Sequence, residues 1–193
     1  MDALDFFLDA YEVVRGEIQR LDQREESLWR ARPQGLNSIA WLVWHLARFE
    51  DVALNRLVVE GTQVLDDPAA RWPSRMGAPW RDVGVGMTDA EVTALTEGVD
   101  LGALRAYSAA VGQQTRQVAR SVAPESLDAV VDLAHLRRVL FEEGALRPEA
   151  AWVEEVMLGW TKGRCLSYFA LLHNAGHMYD KRTVLGLLSI PGR

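Results

Sequence analysis

Apolar positions recur at steps of three and four along most of the chain, and the points where that rhythm stops divide it into four long helices and two irregular stretches. The first run is Leu4, Phe7, Tyr11, Val14, Ile18, Leu21 and Leu28, with Glu25 the one charged residue on the seam. It predicts a helix that ends before Pro33 and Gly35. Glu25 has two readings: the seam reaches the solvated end of a bundle there, or a carboxylate is directed toward a metal ligand from behind. A second helix is predicted from a cap at Asn37 or Ser38 to about Glu60, stopping at Gly61. Its inward stripe is Ser38, Trp41, Leu42, His45, Phe49 and Val52. The third follows Asp100 through Leu101, Leu104, Ser108, Val111, Thr115, Val118 and Val122 and ends at Pro124; the fourth runs from about Lys162 to Leu188, stopping before Pro191.

Between the second and third helices, residues 61–87 collect Pro68, Pro73, Pro79 and the Gly84–Gly86 "GVG", with Trp72 and Trp80 among them. A connection of that length is usually functional, and a lid is expected. The two glycines are not a phosphate loop, because neither the preceding strand nor the full glycine fingerprint is present. Thr88 followed by Glu91 predicts a capping box and a short helix. Residues 126–160 read as a strand-like piece plus a helical turn, then a short helix after Pro148. With no sustained strand alternation and no repeat, the pattern predicts an all-α four-helix bundle forming a single domain over residues 1–193.

Composition narrows the function. A net charge of −6 without any basic block argues against nucleic-acid binding. No apolar run is long enough to span a bilayer, and the N-terminus lacks a basic leader, so a cytoplasmic protein without membrane association is expected. The single cysteine, Cys165, cannot form an internal disulfide. Only Lys162 and Lys181 among 21 basic residues are lysines, a bias in keeping with a GC-rich coding sequence.

The candidate chemistry lies in the histidines. His173 and His177, spaced i, i+4, project from one face of the last helix, a face shared with Leu166, Phe169, Ala170, Asp180, Val184 and Leu188. His45 lies on the apolar stripe of the second helix. Buried imidazoles need partners, and three converging on one interior satisfy each other best through a shared cation. Zinc, nickel and iron all suit imidazole nitrogen. Three ligands leave a position open, the pattern of a catalytic rather than a structural site. His135, between the irregular region and Arg137–Arg138, is a weaker candidate, and Cys165 is core filler. Asp180 either accepts the second ring N–H of a ligand or pairs with Arg182 or Arg48, and the ion pair is the favoured reading.

At these residues the chain resembles the DinB/YfiT-like superfamily. "SIAWLVWHLARFED" resembles its second-helix motif, a histidine after an apolar run and before an acid; "HNAGHMYDKR" resembles its fourth-helix HxxxH motif. "WPSRMGAPWRDVGVGMTDAEVTAL" is similar to the loop of actinobacterial-type members. The resemblance covers most of the chain, residues 126–160 excepted. It implies up-down-down-up connectivity, a divalent metal held by His45, His173 and His177, and often a homodimer. It further implies chemistry with a low-molecular-weight thiol of the mycothiol or bacillithiol type, in S-transferases and isomerases, with metal-dependent hydrolysis proposed for some members.

Three functions follow for testing. In the first, the metal lowers the pKa of a bound thiol, of mycothiol type given the GC-rich bias, and the long loop covers the site, with Trp72, Trp80 and Arg75 or Arg81 binding an anionic thiol cofactor. In the second, the same centre hydrolyses a substrate, with Glu25 and Asp180 the only inward acids to nominate. In the third, the triad stabilises a non-enzymatic stress-response or binding module. No general base is assigned in any of them, and a small-molecule substrate is the expected partner.

Overall fold

Helices carry the chain throughout, and how they are interrupted decides where the histidines point. The computed structural model describes residues 2–189. In α1 (Ala3–Gln19) the Asp2 carboxylate accepts the Asp5 N–H at 2.8 Å, satisfying an amide of the first turn. The predicted run to Leu28 is not one helix. A 3-10 turn at Arg20–Gln23 follows, Arg24 is extended, and α2 (Glu26–Arg30) starts afresh. The bend lets Trp29, rather than Leu28, bury fully, and its indole N–H donates to the Leu21 carbonyl at 3.1 Å. A buried tryptophan contributes a larger apolar area than leucine and needs that acceptor. Glu25 is exposed at the head of α2, so its solvated reading holds and the metal-directed one is corrected.

α3 (Ile39–Val52) opens on Ser38, whose hydroxyl accepts the Trp41 N–H at 3.0 Å, and it continues as a π-helical segment, Ala53–Val58. The stop near Gly61 falls where expected. The helix has no wet face, however: every residue from Ile39 to Val52 is buried. The charged Arg48, Glu50 and Asp51 are therefore enclosed by other elements.

Those charges explain why the long connection after α3 is ordered. The buried Asp51 carboxylate accepts from Asn55 Nδ2 (2.8 Å), the backbone N–H groups of Val64 (2.7 Å) and Leu65 (2.9 Å), Tyr107 (2.7 Å) and Arg48 (3.2 Å). Arg48 in turn donates to Gln63 at 3.0 Å and to the Arg81 carbonyl at 2.6 Å. A buried ion pair is stable only when its remaining hydrogen-bonding capacity is used, and here loop backbone uses it. Residues 61–83 are thus tied to α3 from within. The loop also contains α4 (Trp72–Met76).

α5 (Asp89–Gly98) carries the expected capping box between Thr88 and Glu91. α6 (Leu101–Ser121), capped by Asp100, ends before Pro124 as predicted. Residues 126–160 form α7 (Leu133–Arg137), a π-helical turn, and α8 (Trp152–Met157) after a 3-10 turn at Pro148–Ala150. The strand-like piece reduces to one antiparallel bridge, Val130 to Thr161, and no strand forms among the described residues. The protein is all-α.

The last helix is α9 (Lys162–Ser167), a π-helical turn at Tyr168–Leu172, and α10 (His173–Leu188). The stop expected before Pro191 lies outside the described residues. α3 packs against α6 and α10, and α1 packs against the same two helices. The buried stripe of α10 is Asn174, Met178, Lys181 and Val184; Val184 is buried as predicted, but the first three lie one position beyond the predicted His173, His177 and Asp180, and Asp180 and Leu188 are exposed. The π turn accounts for the offset, because its extra residue rotates everything after it relative to α9.

Candidate metal centre

The rotation places His173 and His177 at the edge of the packed stripe rather than inside it. There they meet His45, which projects from the middle of α3. The three ring centroids lie 4.7 Å (His173–His177), 5.0 Å (His45–His177) and 5.1 Å (His45–His173) apart. One ligand nitrogen from each lies within 4.8 Å of the others. All three histidines singled out from the sequence therefore come together. His135 does not: its Nε2 donates to the Arg56 carbonyl at 2.6 Å and its Nδ1 accepts from Arg138 at 2.5 Å, a local structural role. Cys165 is fully buried in the core, and burial pushes its thiol up to about 12, which leaves it unreactive near neutral pH.

Each ring is oriented from behind. His45 Nδ1 donates to the Val83 carbonyl, an acceptor only, so the lone pair is on Nε2. Trp41 stacks on the same ring, with centroids 4.6 Å apart and planes at 13°, and Phe49 stands edge-on at 5.2 Å. His177 Nδ1 donates to the Asp180 carboxylate at 2.7 Å. This corrects the favoured pairing of Asp180: Arg48 is bound to Asp51, and Arg182 reaches Glu17. His173 is held through its neighbour. Asn174 Nδ2 donates to the buried Glu50 carboxylate at 2.7 Å, and that carboxylate also receives Thr115 (2.6 Å) and Tyr11. Nδ1 of His173 is buried with no hydrogen-bond partner among the described residues.

The electrostatics suit a cation. Burial, then the neighbouring His177, lowers His45 to about 3; burial, then His45 and His177, lowers His173 to about 2. Both rings are neutral near pH 7, the form that ligates metal. The donor set therefore fits a divalent ion: ring nitrogens within coordination reach of one another, two of the rings with the second nitrogen tied to an oxygen, and one orphaned buried nitrogen on the third ring.

The centre opens into a cavity of about 430 Å³. Its wall differs from the expected lid. Trp72, Arg75, Trp80 and Arg81 do not line it. Trp72 packs on Tyr107 with Arg75 over its ring, Trp80 stands against Trp44, and Arg81 pairs with Asp66 at 2.6 and 2.8 Å. The part of the loop that does reach the site is Gly84–Met87. Gly84 has φ +87°, and a Cβ there would lie 2.6 Å from the Trp44 ring and 3.1 Å from Trp41. The opposite wall is Trp152, Val156 and Trp160 from the region that sequence patterning left unresolved. Their i, i+4, i+8 spacing was the available signal, masked by the break between α8 and α9.

A family model described as the DinB superfamily matches residues 10–178, a span that contains all three histidines. The chain belongs to the DinB superfamily. No curated protein matches the sequence. A solved structure, the conserved protein of locus from Enterococcus faecalis, superposes with a TM-score of 0.67 at 18% identity, covering 96% of this chain and 99% of that one. At that identity the likeness speaks to the fold alone.

Proposed function

We propose that this superfamily member is a divalent-metal-dependent enzyme for a small molecule, with His45, His173 and His177 as the ligands and transfer or isomerisation by a low-molecular-weight thiol as its reaction. The observation that carries the reading is that the three nitrogens face a cavity wide enough for a substrate instead of being closed over by a fourth side chain. A divalent cation bound there supplies Lewis acidity, which lowers the pKa of a thiol or water that reaches it. The chain's own residues hold the His45 and His173 rings neutral and orient the ligating set, and Phe49, Trp160 and Phe169 in the wall exclude water.

Among the described residues no carboxylate lines that wall, which favours a thiol over water as the nucleophile. A thiol ionises near pH ~8.5 and needs little help, whereas hydrolysis wants a base to hold the second proton. Of the two acids nominated for that task, Asp180 is bound to His177 and Glu25 is exposed on α2. A non-enzymatic, metal-stabilised module is the second reading, supported by the lack, among the described residues lining the cavity, of a nucleophile paired with a base.

Elemental analysis of protein purified without a histidine tag should give one equivalent of a divalent transition metal, and His173→Ala should give well under half. Full occupancy in that variant would remove the assignment. Melting of the metal-loaded protein then separates the reactions: stabilisation by thiols supports thiol transfer, stabilisation by esters or amides alone supports hydrolysis, and neither favours the non-enzymatic module.

A further inference from the structure

The cavity also restricts what can occupy it, and this step rests on reading the histidines as the reactive centre. Among the described residues, no Asp, Glu, Lys or Arg side chain lines the wall. Beyond the histidines it is built mainly from Trp41, Met87, Trp152, Val156, Met157 and Trp160, with Asn37 and Tyr168 supplying uncharged polar groups. The nearby guanidinium groups are engaged elsewhere. Arg147 pairs with Asp82 at 3.0 Å and Glu91 at 2.7 Å, Arg81 with Asp66, and Arg48 with Asp51. Arg164 stacks on the Trp160 ring at 4.5 Å without joining the wall. The mouth continues the same character: Trp152 and Val156, one turn apart on α8, are 57% and 52% exposed.

A carboxylate or phosphate carried into this space would lose its hydration among aromatic rings and meet no counter-charge from the wall. An apolar group would gain from leaving water. We infer that the part of the ligand lying beyond the triad is an uncharged aromatic or branched aliphatic group, and that the site discriminates against substrates and thiols with anionic tails. The anionic thiol cofactor expected from Arg75 and Arg81 has no seat here.

The test uses two probes that share a metal-binding ring nitrogen and differ in the tail, phenylimidazole and imidazoleacetate. Both are titrated calorimetrically into the zinc-loaded chain at about pH 8, where the free probes are neutral at the ring. Phenylimidazole should bind about tenfold tighter or more. Val156→Lys, at the half-exposed rim, should narrow that ratio to about threefold or reverse it. Equal affinities, or a preference for imidazoleacetate in the unmodified chain, would overturn the inference. Zinc stoichiometry is read separately. Should zinc fail to load, the metal reading falls alone, and the same tail preference is required of the metal-free chain.

Discussion

At the residue scale the three histidines are alike in the sequence and unlike in the structure. His45 is locked by a backbone carbonyl and an indole face, His177 by a carboxylate, and His173 by the Asn174–Glu50 bond one residue along. Asp180 is the most accessible of these supports. Replacing it with Asn keeps an acceptor but removes the charge that raises the basicity of the His177 ring. Asp180→Asn should weaken metal affinity by about tenfold, the lower end of such effects, because the Asp180 side chain is 61% exposed. Competition with a chromophoric chelator measures this directly. Unchanged affinity would mean the contact has no bearing on the centre.

Elements contribute through two departures from regular geometry. The π turn at Tyr168–Leu172 turns Asn174 toward Glu50 and leaves His173 and His177 facing the cavity. The loop through Gly84 brings the Val83 carbonyl to His45 while passing over Trp41 and Trp44 at a distance only glycine permits. Gly84→Ala combines a left-handed φ with a clash against a buried ring. It should cost about 2 kcal/mol or more in chemical denaturation. It should also reduce metal affinity, since the displaced loop carries the acceptor for His45. A destabilised variant that retains wild-type affinity would show that the loop and the centre are independent.

For the whole molecule the consequence is a dependence on acid. His45 and His173 are held neutral in the fold, at about 3 and about 2, against an ordinary value of 6.5. Below about pH 6.5 the unfolded chain binds protons at these rings that the native chain does not, so native stability falls as the pH drops and continues to fall toward the folded values. In the presence of a chelator the melting temperature should therefore decline steeply from about pH 6 downward. A His45→Gln variant, with one titrating ring fewer, should show a shallower decline over the same range. Parallel curves would mean that other groups govern the acid limb. Metal loading should move the whole curve upward, by mass action on the native state.

Spacing and punctuation alone determined a good deal of this: the all-α class, the capping box at Thr88, the extents of α3 and α6, and the candidacy of His45, His173 and His177. Local rules suffice there, because a 3.6-residue repeat, a cap and an i, i+4 pair are properties of neighbours in the chain. Tertiary structure decided the rest. The extra residue of a π turn is invisible to periodicity, yet it moved the first half of the buried stripe of α10 by one position and so set what the histidines face. Arg48 is a candidate partner for Asp180 until Gln63, Tyr107, Asp51 and the loop backbone close around it. The pairing of Asp180 and the wall built from Trp152, Val156 and Trp160 depend on contacts between segments far apart in sequence. Whether a polar side chain meets water, a partner or a cavity is settled only once the other elements are in place.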